Sequence, residues 1–346
     1  MHRPPSTKSP LDLLRSHLGW AAGASYLAAA TVPAPGLWLR HTHTIGAAGV
    51  LELPFRTPHF LLSLILFTAG LQAPPHELRA LLGRPTALLT GLILHLVAPL
   101  LIIPFIAFAL RQSPDSDGGS GLVAAMITIA AMPVAAGATV WTSKGDGDQP
   151  TTVGLVLAST IVSPLTIPVT MTALCPLLSG DYAGTLAEAA RTAGNGFALT
   201  GVLLPCGAGI LCRLALPRHL MDHLLHAAIL GSLLLTYINA SGALGRFLTH
   251  PEPVMFVAAL AVAATVCGLS FTLGRITARV LRLDAPAGAS VTLACGMNNS
   301  SAGAVLITTM LPDRPHALLP VLAYGLMQKV AAGLVVRAGR GGRTHA

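Results

Sequence analysis

Long runs without a charged residue restrict the fold of this sequence more than any other feature. Ten runs lack Asp, Glu, Lys and Arg: 16–39, 57–76, 85–110, 118–143, 149–180, 192–212, 223–245, 253–274, 285–312 and 315–328. The first nine are each long enough to cross a bilayer, which takes about 20 apolar residues at a helical rise of about 1.5 Å per residue. Lys329 ends the tenth run, and an apolar stretch to Val336 extends it. The sequence therefore predicts ten membrane-spanning helices.

Composition supports the same class of fold. Hydrophobic residues make up 53% of the 346 residues and charged residues only 10%, whereas soluble domains carry about 25% charged residues. A soluble fold would have too few polar side chains to cover its surface. We therefore expect an all-α polytopic protein in which residues 1–346 form a single membrane domain in the lipid bilayer.

Basic residues predict the orientation in the membrane. With the N-terminus in the cytoplasm, 14 Lys and Arg residues lie in inner loops and tails and 6 in outer loops. Both termini are then cytoplasmic, and the expected location is the inner (plasma) membrane. The N-terminal segment has features of a cleaved signal peptide, but Asp12 and nine further spans favour a retained first span.

The net charge of +8 belongs to these inner loops. Because no basic patch is interleaved with aromatic residues, nucleic acid is not an expected partner. The sequence does not indicate whether the chain forms a homo-oligomer.

Ten spans divide into two five-helix halves, 1–180 and 181–346, and an odd number of spans inverts the second half relative to the first. The fourth span of each half is interrupted. Pro133 and Gly137 fall within residues 122–143, and proline removes a backbone donor from a helix. Gly296 opens the polar stretch "GMNNSS" within 286–311. The pattern predicts two inverted repeats with broken helices in matching positions.

Broken helices at membrane depth indicate a binding site. Amides and hydroxyls without partners cost about 4–8 kcal/mol in hydrocarbon, and non-helical backbone is tolerated there only when it is buried in protein or lines a wet cavity. We expect a substrate and ion site where the two breaks meet. The alternative is that each break is a kink whose polar groups are satisfied by neighbouring helices.

Five segments together resemble the bile acid:sodium symporter family, from about Phe60 to Gly333. They are "LLSLILFTAGLQAPPHELRALLGRP", "LILHLVAPLLIIP", "MPVAAGATVWTSKGDGDQPTTVGLVLASTIVSPLTIP", "LLTYINAS" and "CGMNNSSAGAVLITTMLP". The resemblance implies a panel domain, and a core domain in which the two broken helices cross. It also implies a secondary active transporter that takes up a small organic anion with sodium by alternating access. Arsenite efflux proteins, a distant branch of the fold, fit less well because Met132 replaces their cysteine.

The same resemblance suggests ion ligands, and several of them are altered. Where the family has a glutamate in the ninth helix, this chain has Ala294. A Ser–Asn pair in the fourth helix is replaced by Ala138–Thr139, and a glutamine in the third helix by His95. The sites that remain for a sodium ion or proton are Thr139, Thr142, Thr152, Met297, Asn298 and His95. Because no predicted span contains a carboxylate, the sequence makes sodium coupling a weaker prediction. A proton-coupled or uncoupled carrier is the alternative. No other metal and no cofactor is expected.

The expected substrate-binding residues are Pro133, Ala138, Asn299, Ser300 and Lys329. Two ionisable groups in spans leave two interpretations open. His95 either carries a proton, since histidine titrates near neutral pH, or is a neutral side chain bonded to a neighbouring carbonyl. Lys329 either extends to the inner surface or faces the core, where it balances an anionic substrate in place of sodium.

Other function classes fit less well. An intramembrane enzyme needs a nucleophile with a base, paired carboxylates or a metal, and the spans contain no acidic pair and no His-Glu-x-x-His motif. A channel would show a ring of charges or a filter loop. A non-transporting membrane sensor remains an alternative that measurable substrate flux would exclude. The sequence therefore predicts a transporter and not an enzyme.

Overall fold

The computed structural model describes residues 18–45, 53–73, 85–111, 119–249, 251–311 and 315–341. Helices dominate these ranges. They are α1 Leu18–Thr31, α2 Ala34–Arg40, α3 Thr57–Leu71, α4 Pro85–Leu110, α5 Ser120–Ala130, α6 Ala138–Lys144, α7 Gln149–Leu174, α8 Asp181–Thr192, α9 Leu204–Cys212, α10 Arg218–Thr249, α11 Pro253–Val280, α12 Ala285–Gly296, α13 Ser300–Met310 and α14 Leu319–Gly341.

Three further helical segments, of π and 3₁₀ type, lie between these helices. A π-helix, Ala193–Leu203, joins α8 to α9, and 3₁₀ turns at Cys175–Leu177 and Pro315–Leu318 follow α7 and precede α14. One feature is not helical. Strands β1 (Thr42–Ile45) and β2 (Leu53–Arg56) pair antiparallel between α2 and α3, with Thr42 opposite Arg56. The sequence did not predict this hairpin, because it lies in the polar connection between the first two charge-free runs.

The helices support an all-α membrane protein, but they do not confirm the count of ten spans. Within the described ranges, α4, α7, α10, α11 and α14 are long and apolar enough to cross a membrane alone. A sixth span results if α8 and the segment leading to Cys212, bent by 56°, are counted together. Several predicted spans fall short because the helix breaks inside them: 16–39 at Val32 and Pro33, 118–143 after Ala130, and 285–312 after Gly296.

The helices pack as two groups. The α3 group consists of α1, α2, α3, α9 and α10, in which α3 packs on α9 and α10, and α1 and α2 pack on α10. In the α12 group, α11 packs on α12 and α14, and α4 packs on α7, α11 and α12. Both broken helices belong to the α12 group, where α13 packs on α14 and α5.

Glycines allow the closest helix contact in the α3 group. A Cβ atom at Gly70 of α3 would collide with the Cys206 carbonyl of α9, and a Cβ atom at Gly209 of α9 would collide with the Phe67 carbonyl of α3. Small residues let backbones approach in membranes, where helix association depends on close packing. The two glycines therefore fix α3 against α9.

Candidate ion and substrate site at the helix crossing

The two helix breaks are hydrogen-bonded to each other. The Ala135 N–H donates to the Met297 carbonyl at 2.8 Å, and the Asn299 N–H donates to the Pro133 carbonyl at 2.9 Å. Val134 and Asn298 lie opposite each other between these bonds as an antiparallel bridge. Each break thus supplies one donor and one acceptor to the other. The backbone groups that the breaks release are partly satisfied by this reciprocal pairing, as burial in a membrane requires.

Side chains from neighbouring helices complete the crossing. The Val134 N–H donates to Ser159 Oγ of α7 at 3.0 Å. The Tyr324 hydroxyl of α14 donates to the Gly296 carbonyl at 3.0 Å. The Asn299 side chain accepts from the Ala302 N–H at 3.1 Å and so caps α13. The first two contacts were not predicted from the sequence.

A small cavity lies beside the crossing. Its polar lining comes from His95 of α4, Ser270 of α11, Cys295 of α12 and Asn298 of the second break; apolar residues of α4, α5 and α11 supply the rest. The cavity has room for about one water molecule. It is too small for an organic anion, and its size suits a single ion, water molecule or proton carrier.

Asn298 and His95 define the chemistry of this cavity. Asn298 Oδ1 is buried and has no hydrogen-bond partner within the described ranges. His95 is buried and hydrogen-bonds to the Met132 carbonyl at the first break. A neutral imidazole that donates with one nitrogen can only accept with the other. The cavity therefore combines acceptors that attract a cation, a proton or a donating water molecule.

The predicted threonine ligands lie apart from this cavity. Thr142 Oγ1 and Thr152 Oγ1 bond to each other at 2.9 Å and both are fully buried. Thr139 Oγ1 donates to the Ala136 carbonyl at 2.8 Å. The Met297 carbonyl already accepts the Ala135 N–H. Of the six predicted ion ligands, the structure places only His95 and Asn298 in the lining of the small cavity.

The predicted substrate residues are distributed around the crossing. Pro133 and Ala138 are buried, Asn299 is 9% exposed, and Ser300 is half-buried. The Ser300 hydroxyl accepts a hydrogen bond from Gln328 Nε2 at 3.3 Å, and Gln328 Oε1 is buried without a partner in the described part of the chain. Lys329 is half-buried and makes no ion pair with a described carboxylate. The sequence analysis did not identify Gln328.

Two larger cavities lie at opposite ends of α3. The first, of about 210 Å³, is lined by Gln72 at the end of α3, by Ala136 and Thr139 at the first break, and by Gln149 of α7. The second, of about 390 Å³, is lined by Pro58 and His59 at the start of α3, by the hairpin, and by the end of α13. Along α3 their nearest lining residues, His59 and Ala69, are separated by about 15 Å of helix. Each cavity is bordered by both helix groups.

Comparison with known proteins agrees with this architecture. The sequence model of the sodium bile acid symporter family matches residues 59–250, more than half of the chain. A Bacillus subtilis (strain 168) protein, described as the uncharacterized sodium-dependent transporter YocS, is 22% identical over 282 residues, which cover 79% of this chain and 80% of that protein. Members of this family are transporters and not enzymes. The chain, with its apolar helices and paired breaks, belongs to the sodium bile acid symporter family.

Proposed function

We propose that the protein is a secondary active carrier that moves a small organic anion across the inner membrane by alternating access. The observation that carries this proposal is the position of the hydrogen-bonded crossing in the α12 group, with one cavity near each end of α3. A carrier must expose one site to each side in turn. Movement of the α3 group against the α12 group would open one cavity while it closes the other.

A ten-span topology with inverted repeats fits the order of the helices. The first half would consist of α1–α2, α3, α4, α5–α6 and α7, and the second of α8–α9, α10, α11, α12–α13 and α14. The reciprocal bonds Ala135–Met297 and Asn299–Pro133 are what a two-fold relationship between the halves produces at its axis. On this topology both termini are cytoplasmic, the α3 group is the panel, and the α12 group is the core.

The coupling ion would bind in the cavity that contains His95 and Asn298. The unpaired Asn298 Oδ1 and the imidazole of His95 suit a small cation or a proton, whereas the volume of the cavity excludes the substrate. The Bacillus subtilis relative is described as sodium-dependent, which favours sodium. None of the described residues that line the cavity carries a carboxylate, and hard cations prefer several oxygen ligands, which favours a proton on His95 instead.

The substrate would bind between the crossing and the cavity of about 210 Å³ at the end of α3. Thr139 lies at this boundary, since it lines that cavity and belongs to the start of α6. The crossing next to Thr139 is formed in part by Pro133, Ala138, Asn299 and Ser300. Lys329 lies in the middle of the neighbouring α14, and we propose that it balances the charge of the anion.

Reconstitution into proteoliposomes tests this function. Uptake of a bile acid and of a panel of small carboxylates is measured under an imposed sodium gradient, a potassium gradient as control, and a pH gradient. A carrier is expected to accumulate at least one compound under one gradient and to lose the accumulation when that gradient is collapsed. Uptake of every compound at the rate of protein-free liposomes would contradict the proposal.

A further inference from the structure

The cavity at the hairpin end of α3 has a positive lining that the carrier mechanism above does not use. Arg40 ends α2, His41 follows it, Arg56 ends β2, and His59 lies in the first turn of α3; all four line this cavity of about 390 Å³. None of the described residues that line it is acidic. The cavity thus concentrates two permanent positive charges at one end of the molecule.

Gly242 makes room for the first of these charges. The Arg40 guanidinium lies directly over Gly242 of α10, where any side chain would collide with Nη1. Arg40 is half-buried and forms no ion pair with a carboxylate in the described ranges. A guanidinium has five N–H donors, and a half-buried one without a counter-charge is a favourable partner for an anion.

The second charge is held by the hairpin. Arg56 pairs with Thr42 across the two strands, and its Nε donates to Thr42 Oγ1 at 3.0 Å. Within the described ranges this is the one side-chain hydrogen bond of Arg56, and the residue is exposed. Among the described carboxylates none pairs with Arg56. The hairpin therefore fixes an arginine on the wall of the cavity.

His59 adds a polar atom to the same wall. Its Nδ1 is buried and has no hydrogen-bond partner among the described residues, and its ring meets the Phe197 ring edge-on at a centroid distance of 6.5 Å.

Trp38, two residues before Arg40, is 62% exposed, as is common for tryptophan at a membrane–water interface. The cavity therefore lies where both dissolved anions and lipid headgroups reach.

We propose that this cavity binds an oxyanion, with the Arg40 and Arg56 guanidinium groups as its principal donors. The ligand class is a carboxylate or phosphate group, because guanidinium matches both in planar, charge-assisted hydrogen bonds. Such a group is carried by a dissolved organic anion, which would be captured before it reaches the crossing, or by the headgroup of an anionic lipid. The first case rests on the proposed carrier function; the second does not.

Thermal unfolding of the full chain in nanodiscs tests the proposal and separates the two sources. In one arm, the nanodiscs contain only phosphatidylcholine, and inorganic phosphate or succinate is titrated at constant ionic strength against chloride. In the other, phosphatidylglycerol is added to the lipid and no soluble oxyanion is present. A ligand that binds only the folded state raises the unfolding midpoint, so either arm reports binding without a transport assay.

The variants are R40Q and R56Q, with R111Q as the matched control. Arg111 follows α4, is exposed, and does not line the cavity. We expect saturable stabilisation of the wild type in at least one arm, an apparent affinity roughly tenfold or more weaker in R40Q and R56Q, and an unchanged affinity in R111Q. G242A should weaken binding like R40Q, because it displaces the Arg40 guanidinium. Since Arg56 is exposed, R56Q keeps the test valid if R40Q fails to fold.

Three results would overturn the proposal. In the first, neither arm stabilises the wild type. In the second, R111Q loses stabilisation as much as R56Q does. In the third, the wild type binds no probe while E52Q or D313N does. That result would identify an internal carboxylate as the occupant. Glu52 and Asp313 lie outside the described residues. Gradient-driven uptake in proteoliposomes would persist in all three cases if the carrier function is correct, so the two proposals fail separately.

Discussion

The carbonyl oxygen of Pro133 accepts a hydrogen bond from the backbone N–H of Asn299 at 2.9 Å. The two residues are far apart in the sequence, and each lies where a helix is interrupted. Together with the reciprocal bond from Ala135 to Met297, this contact makes the two breaks a single structural unit. A change at either break is therefore expected to affect the other.

Removal of the Ser159 hydroxyl should destabilise the crossing. In S159A the buried Val134 N–H loses its acceptor, and a buried donor without a partner costs about 1–3 kcal/mol. The matched control is S163A on the same helix, because the Ser163 hydroxyl bonds only the Thr160 carbonyl one turn back. Thermal unfolding in detergent should show a lower midpoint for S159A and little change for S163A. Equal midpoints for the two variants would show that Ser159 does not support the break.

A methyl group at Gly209 should disturb the contact between α3 and α9. The added Cβ would meet the Phe67 carbonyl, and overpacking of this kind costs about 1–3 kcal/mol. Gly207 on the same helix has open space at its Cβ position, so G207A is the control. We expect G209A to unfold at a lower temperature than the wild type and G207A to match the wild type. Destabilisation by both would indicate a general effect of alanine on this helix.

The two large cavities should be accessible from opposite sides of the membrane. Single cysteines at Thr139 and Thr308, one in each cavity, are introduced after the five native cysteines have been replaced. In vesicles of known orientation, a membrane-impermeant thiol reagent should label T139C from the cytoplasmic side and T308C from the outer side. Labelling of both cysteines from the same side would contradict the opposite openings of the cavities and the proposed alternating access.

Lys329 should affect transport more than folding if it balances the substrate anion. Its side chain is half-buried on α14, next to Gln328, which bonds Ser300 at the start of α13. In proteoliposomes, K329A should raise the apparent KM for an anionic substrate roughly tenfold or more, as expected when one charged partner is lost, and K329R should retain most of the affinity. Wild-type kinetics in K329A would support the alternative, in which Lys329 only extends to the inner surface.

The sequence predicted most of the helices. A helix that spans the bilayer must lack charged residues over a defined length, and such runs can be counted in a sequence. It also located the breaks, since Pro133 and the "GMNNSS" stretch are poor helix formers in an apolar context. The count of ten spans stays a prediction, because α1–α2, α5–α6 and α12–α13 are interrupted and their pieces are individually short.

The contacts between distant segments could not be predicted from the sequence. Ser159 and Tyr324 look like ordinary helix residues, and their roles appear only when α7 and α14 lie beside the breaks. The resemblance to the symporter family grouped Thr139, Thr142 and Thr152 with Asn298 as ion ligands. The structure satisfies the threonine hydroxyls among themselves and with carbonyl oxygens, and leaves His95 and Asn298 at the small cavity. Local composition does not determine which polar groups remain without partners.

The cavity containing His95 and Asn298 is proposed to hold the coupling cation or proton. The decisive experiment is thermal unfolding of the purified protein during a sodium titration, with potassium as control, at pH values from about 5 to 8 around the usual histidine pKa. We expect either sodium-specific stabilisation or a pH-dependent shift of the unfolding midpoint. H95Q and N298A should both lose this effect, whereas T309A, which alters a residue of the distant cavity, should keep it. Two results would contradict this proposal. The first is an effect that survives in both H95Q and N298A, and the second is a wild type whose unfolding responds neither to sodium nor to pH.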